Sequence, residues 1–217
     1  MNLPFTPEQF FQVFALYNRG VWPMQFVLNA FALACIALLF HSSATASRGI
    51  SLMLSLLWVW VAIAYHFAFF SRINPAAWLF GALFLAGGLV FAWLGVVQAR
   101  LQFRPPAGGR GVLGSALLLY ALLVYPLLGY MFGHRYPQAP TFGLPCPTTI
   151  FTIGLLLLAV RPLPRLAFLM PVLWAAVGSF APFQLGALED LGLLAAGVLA
   201  VPAGLLARRP ASPLSPP

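Results

Sequence analysis

The sequence predicts an all-α fold, a polytopic transmembrane helical bundle of seven spans with the N-terminus outside and the C-terminus inside, on three observations. Of its 217 residues, 62% are apolar and only 6% are charged, where soluble domains carry about 25%. The apolar residues form continuous Leu- and Ala-rich runs with no alternation at period two, the pattern of helical spans rather than barrel strands. The basic residues are all arginine and are spread unevenly between those runs, as expected when positive charge is retained in cytoplasmic loops. The 20 prolines and 19 glycines are scattered singly and set no repeat, so collagen, coiled coil and disorder are excluded together with a soluble fold.

The elements follow in order. Thr6-Pro7-Glu8-Gln9 supplies an N-cap, a proline at the first helical position and a glutamine three residues after the cap, opening a helix that Gly20 closes. Phe10, Val13, Phe14 and Tyr17 recur at helical spacing, so residues 1–20 read as an amphipathic helix in the outer interface. The start MNLPFTPEQF has neither the positive charge nor the apolar core of a signal peptide and reads as a mature element. A helical crossing needs about 20 apolar residues. Runs at 22–40, 49–70, 76–97, 112–132, 148–160, 166–183 and 191–207 make residues 21–207 a seven-span domain, followed by a short Pro-rich cytoplasmic tail at 208–217. Asn74-Pro75 starts the third span sharply, and Pro126, Pro171 and Pro202 are expected to kink the spans that contain them. The run at 148–160 is short, reaching about 20 Å at ~1.5 Å per residue, so the extended residues Thr141–Pro147 are expected to supply the missing depth.

With the N-terminus outside, the inner segments hold Arg48, Arg100, Arg104, Arg110, Arg161, Arg165, Arg208 and Arg209, and the outer ones only Arg19, Arg72 and Arg135. Leaving the short run uncrossed would move four inner arginines outside and reverse the bias, so seven crossings are kept. The acids Glu8, Glu189 and Asp190 then all lie outside, and the net charge of +8 belongs to the inner face. The basic balance therefore reads as orientation and contact with the lipid bilayer. No basic cluster is long enough for nucleic acid. Two cysteines make no disulfide framework, and Cys35 lies within an apolar run.

Polar side chains gather at the outer end. Gly133–Thr149, GHRYPQAPTFGLPCPTT, carries four prolines, is expected to be non-helical, and leads into the short fifth span. Such a segment lines a wet cavity or is buried in protein, and the half-helix start after it offers free N–H groups to an anionic or acceptor-bearing ligand. Pro147 at the first helical position would make Cys146 the N-cap, a setting for a reactive thiol or a soft-metal ligand. His66 falls about one turn inside the second span and His134 just beyond the fourth, so the pair is a candidate for a metal, a haem iron or a proton relay. Glu189-Asp190 opens the seventh span, where acids complement the helix dipole. They are also placed to neutralise Arg72 or Arg135, or to carry a coupling proton. No GxSxG, HExxH or spaced Ser/His/Asp set is present, so no catalytic residue is assigned and an enzyme is not the expected class.

LPFTPEQF with YNRGVWP, AYHFAFFSRINPAAWLFGALF (with INPAAWLFG at its centre), GHRYPQAPTFGLPCPTTIFTIGLLL and EDLGLL together resemble a bacterial family of integral membrane proteins of unknown function, over nearly the whole chain. The PCPTT stretch is the most specific part. The resemblance implies a multi-pass protein of the bacterial inner membrane and assigns no functional residue.

The expected function is binding or transport of a small polar or anionic solute through an outward-facing cavity. His66, Asn74, His134, Arg135, Tyr136, Cys146, Thr148 and Thr149 are the candidate ligand contacts, and His66, Glu189 and Asp190 the candidate proton carriers. Two alternatives stand beside it. One is a membrane redox protein holding haem or a soft metal on His66, His134 and Cys146, whereas the leading reading needs no cofactor. The other is a non-catalytic subunit whose Pro-rich outer loop docks a membrane or periplasmic protein partner.

Overall fold

A computed structural model describes residues 3–160 and 162–205. Arg161, Arg208, Arg209 and the predicted tail at 208–217 lie outside the described residues. The fold is all-α: among the described residues the only β contacts are two isolated bridges, Phe103–Ala159 and Phe142–Leu144.

Among the described residues eight helices follow one another: α1 Pro7–Gly20, α2 Met24–Leu39, α3 Ala44–Arg72, α4 Ala77–Val97, α5 Gly109–Met131, α6 Pro145–Leu157, α7 Leu166–Leu185 and α8 Leu191–Leu205. The predicted capping box is present at α1: Thr6 Oγ1 accepts from the Gln9 N–H and Gln9 Oε1 accepts from the Thr6 N–H. Asn74 Oδ1 accepts from the Ala76 N–H just before α4. Pro126 follows a π-helical turn at Tyr120–Val124, while Pro171 and Pro202 lie inside helices that continue past them.

Four helices, α3, α4, α5 and α7, of 29, 21, 23 and 20 residues, are long and apolar enough to cross a membrane, as those of a membrane protein are. Taken as one element, α1 and α2 make a fifth, bent by 88°. The other predicted spans are shorter, and α6 explains why length alone does not place them. All thirteen of its residues are buried except Cys146, which is half-buried. A helix apolar all round belongs in the interior. Its threonines suit that place, because Thr149 and Thr152 donate to the carbonyls of Pro145 and Thr148 one turn back. The Trp58 indole, fully buried on α3, donates to Thr152 Oγ1 at 2.9 Å and stacks on Phe84 of α4.

Small residues bring the helices together, as they do where lipid supplies no hydrophobic drive between spans. A Cβ on Gly114 of α5 would come within 2.9 Å of the Gly154 carbonyl of α6, and one on Gly87 within 2.3 Å of the Trp58 ring. The face of α1 read from the sequence as interfacial, Phe10, Val13, Phe14 and Tyr17, is buried against one end of the bundle with Tyr65, Phe70, Leu144 and Leu185. There α1 acts as a cover.

Candidate functional site

The cover is held by two side chains, Tyr17, which the sequence places only on the apolar face of α1, and Asn18, to which it gives no role. Asn18, fully buried, donates through Nδ2 to the carbonyls of Pro137 and Ala139 at 2.7 and 2.8 Å and accepts from the Thr141 hydroxyl at 2.7 Å. Tyr17 donates to the Gly143 carbonyl and accepts from the Trp60 indole. The Pro-rich segment is thus pinned to α1 by backbone carbonyls that a non-helical chain leaves free.

Beneath the cover lies a cavity of about 160 Å³. Its walls are aromatic: Phe10 and Phe14 of α1, Tyr65 and Phe70 of α3, Phe80 of α4 and Trp174 of α7. Asn74, Tyr125, Cys146, Gln184 and Asp190 bring polar side chains to it, and no arginine or histidine is among the described residues lining it. Tyr125 donates to Asp190 Oδ1 at 2.6 Å. Burial pushes the Asp190 carboxyl up to about 7, against the lowering effect of the bond from Tyr125, while the nearby Glu189 adds to the rise. Cys146 sits between Asp190 and the Trp174 indole. The Trp174 Nε1 is buried without a hydrogen-bond partner.

Beside this group, His134 Nδ1 lies 2.9 Å from Glu189 Oε1, and the His134 ring stacks on Phe11 of α1 at 4.1 Å. Glu189 is fully buried and its Oε2 has no partner. The Tyr120 hydroxyl donates to the Glu189 carbonyl at 2.7 Å. Tyr120 reaches it across Gly192, where a Cβ would meet the ring at 2.1 Å.

Of the residues singled out from the sequence, Asn74, Cys146 and Asp190 line the cavity, and His134 and Glu189 pair next to it. His66 stands behind the wall, fully buried with both ring nitrogens unpartnered, its ring 5.2 Å from that of Trp174. Thr148 and Thr149 are buried in α6 outside the cavity lining, with Thr149 bonded to its own helix. Arg135 and Tyr136 are exposed, and the Arg135 guanidinium lies over the Tyr130 ring.

Several expectations are corrected. The helix begins at Pro145 with Leu144 as its N-cap, so Cys146 is not the cap, residues 145–149 are helical, and only Thr141–Leu144 of the expected extension precedes the helix. The reason is that either proline of Pro145-Cys146-Pro147 suits a first turn, which needs no donor there. Cys146 therefore has an acid and an indole for neighbours rather than an open helix end. Glu189 is matched by His134, not by Arg72 or Arg135, because both guanidiniums lie over rings of their own segments, Phe69 and Tyr130. Among the described residues no three of His, Cys, Asp and Glu gather as a metal requires.

Trp174 and Tyr125 were not selected as contacts. Both lie inside apolar runs, where aromatics are ordinary, and only their place in the cavity wall distinguishes them. The helices and the buried polar groups beside the cavity define an all-helical protein of membrane type with an aromatic-walled cavity at one end of the bundle. The chain belongs to the family of unknown function DUF6064, whose model matches residues 7–212. No curated protein and no solved structure matches it.

Proposed function

We propose that the protein is a seven-span protein of the bacterial inner membrane, N-terminus in the periplasm and C-terminus in the cytoplasm, that binds or transports a small solute through the cavity beneath α1. The distribution of arginines supports the orientation, which puts the cavity end outside. A cysteine in place of Arg135 should then be labelled by an impermeant thiol reagent from the periplasm, and labelling only after the membrane is opened would reverse the topology.

The cavity itself carries the binding reading. An apolar cavity of about 150 Å³ is large enough to take up benzene, and this one, at about 160 Å³, offers the same room with polar atoms on one side. Two buried carboxyls and no lining arginine weigh against an anion, which would lose its hydration and gain repulsion. The reading is therefore of a mainly apolar, uncharged solute. Single-ring and short branched-chain compounds should raise the melting temperature of the purified protein, and Ala181→Phe, which puts a ring into the cavity, should abolish the rise while leaving helicity unchanged. A panel of such compounds without any effect would sink the reading.

A further inference from the structure

At the end of the bundle away from the solute cavity, two further cavities lie side by side. The first is a groove of about 400 Å³, apolar except for Ser115. α2 packs on α3 and α5 packs on α6, and the groove is the gap left between α2 and α5. It follows residues 33–40 on one wall and 115–123 on the other. At ~1.5 Å per residue it is about 12 Å long, most of the roughly 15 Å depth of one hydrocarbon leaflet. Leu33, Phe40, Leu119 and Leu123 are each more than half exposed, which leaves the groove open to lipid.

The second cavity, of about 220 Å³, takes its polar side chains from Ser42, Ser43, Ser47, Gln102 and Arg104. It abuts the groove: the stretches 40–42, 104–105 and 158–160 each pass from the wall of one to the wall of the other within two residues. Ser43 Oγ accepts from the Ala46 N–H and Ser47 Oγ from the Phe103 N–H, so each hydroxyl keeps a hydrogen to give. The Arg104 N–H is fixed on the Leu158 carbonyl, while its guanidinium has no partner among the described residues. The acids Glu8, Glu189 and Asp190 all stand at the cover end, so none is here to balance a cation. Hydroxyls and an unpaired guanidinium suit a phosphate, and the lack of a carboxylate favours one whose lipid carries no ammonium. Charge also decides against protein occupants. Residues 206–217 of the chain bring Arg208, Arg209 and no acid, and a second copy would set arginine against arginine.

We propose that the two cavities together hold one anionic phospholipid, its phosphate at Arg104, Ser42 and Ser43 and an acyl chain in the groove between α2 and α5. The lipid fills a gap that the helices leave between them, and the site is independent of the solute reading above.

The test is native mass spectrometry of the full chain, released from detergent micelles that contain equal phosphatidylglycerol and phosphatidylcholine with the same acyl chains. One phosphatidylglycerol should be retained, with a preference of about tenfold. Arg104→Gln should lower its retention about fivefold, the worth of one guanidinium near a headgroup, and leave phosphatidylcholine unchanged. Leu119→Trp, which puts an indole into the groove, should lower the retention of both lipids. Arg100→Gln, at the same end but outside the cavity, should change the preference by less than about twofold. Both arginines are exposed, so neither change disturbs the core. Equal retention of the two lipids overturns the proposal. An equal fall for Arg100→Gln and Arg104→Gln overturns it too, because the preference would then belong to the whole basic face. Glycerol 3-phosphate competing as well as the lipid would reduce the site to a phosphate pocket and overturn the acyl-chain assignment.

Discussion

The two ends of α6 are finished in opposite ways. At its C-terminal end the freed carbonyls have partners: Arg110 donates through Nε to the Leu157 carbonyl at 2.8 Å and through Nη2 to that of Ala159, and the Arg104 N–H donates to that of Leu158. The Val160 N–H reaches back to the Gln102 carbonyl, and the Phe103 N–H donates to Ser47 Oγ. At the N-terminal end no side chain caps the helix, and two prolines simply remove donors. Among the described residues, the buried side chains with a polar atom lacking a partner are Gln25, His66, Gln98, Thr148, Trp174 and Glu189, and only Gln98 lies away from that end. Unsatisfied buried polar groups cost stability and persist where a site requires them. One end of the bundle is therefore closed by paired groups, while most of the unpaired ones collect at the other.

The largest effect that would sharpen this contrast is a pH dependence located at the open end. The Asp190 carboxyl rises from the usual 3.8 to about 7 in the folded protein, with Glu189, Tyr125 and Cys146 as its ionisable neighbours. Its protonated form is thus the favoured one: the contribution is fully present below about pH 4 and is lost as pH rises through 7, amounting to roughly 4 kcal/mol. Denaturant unfolding in detergent should show that loss, and Asp190→Asn should flatten the profile. A variant that keeps the wild-type slope would remove Asp190 from the account.

Next in size is the sealed end. Arg110→Met keeps the apolar stem but strips donors from the carbonyls of Leu157 and Ala159, at a cost of about 3 kcal/mol. Arg110→Lys should restore only part of it, since an ammonium cannot span two carbonyls in a fixed plane. Thermal unfolding of the three proteins measures this directly. Equal melting temperatures would mean that the fork-shaped contact is not what closes the bundle.

How far the sequence reaches also differs between the two ends. The helices begin and end within a few residues of the runs read from hydropathy, because each apolar run stops where polar, proline or glycine residues break it. The cap at Thr6 was legible because a capping box is local. The gathering of Cys146, Glu189, Asp190 and His134 at one end follows from alternating helix direction, and so was readable from order alone. Contacts across the bundle were not. Nothing in one dimension shows that His134 rather than Arg135 meets Glu189, that Asn18 holds carbonyls more than a hundred positions away, or that Trp174 and Asp190 line one cavity. The burial of α6 was hidden for the same reason: a run of thirteen residues gives a length, while its surroundings come from α3, α5, α7 and α8.

A smaller effect tests the cover. Asn18→Asp keeps an acceptor for Thr141 and removes the donors to Pro137 and Ala139, costing about 2 kcal/mol through two unsatisfied carbonyls and a buried charge that shifts to neutral. Amide exchange should rise across 133–144 and stay unchanged across 98–104. Uniform acceleration at both loops would show that the two ends unfold together, and the contrast between them would be one of chemistry only.

The smallest effect comes from the cap of α1. Thr6→Ala removes the acceptor for the Gln9 N–H, which is worth about 1 kcal/mol to a helix. The residue is exposed, and α1 is also held by the bonds of Tyr17 and Asn18 and by the packing of Phe10 and Phe14. The loss should therefore be local: faster exchange at the amides of Gln9 and Phe10, with the melting temperature of the whole protein within about a degree of wild type. Ligand affinity should fall only as far as the cover frays, by less than about threefold. A drop of several degrees would instead mean that α1 sets the cooperativity of the fold, and that the open end, despite its unsatisfied groups, carries as much of the stability as the sealed one.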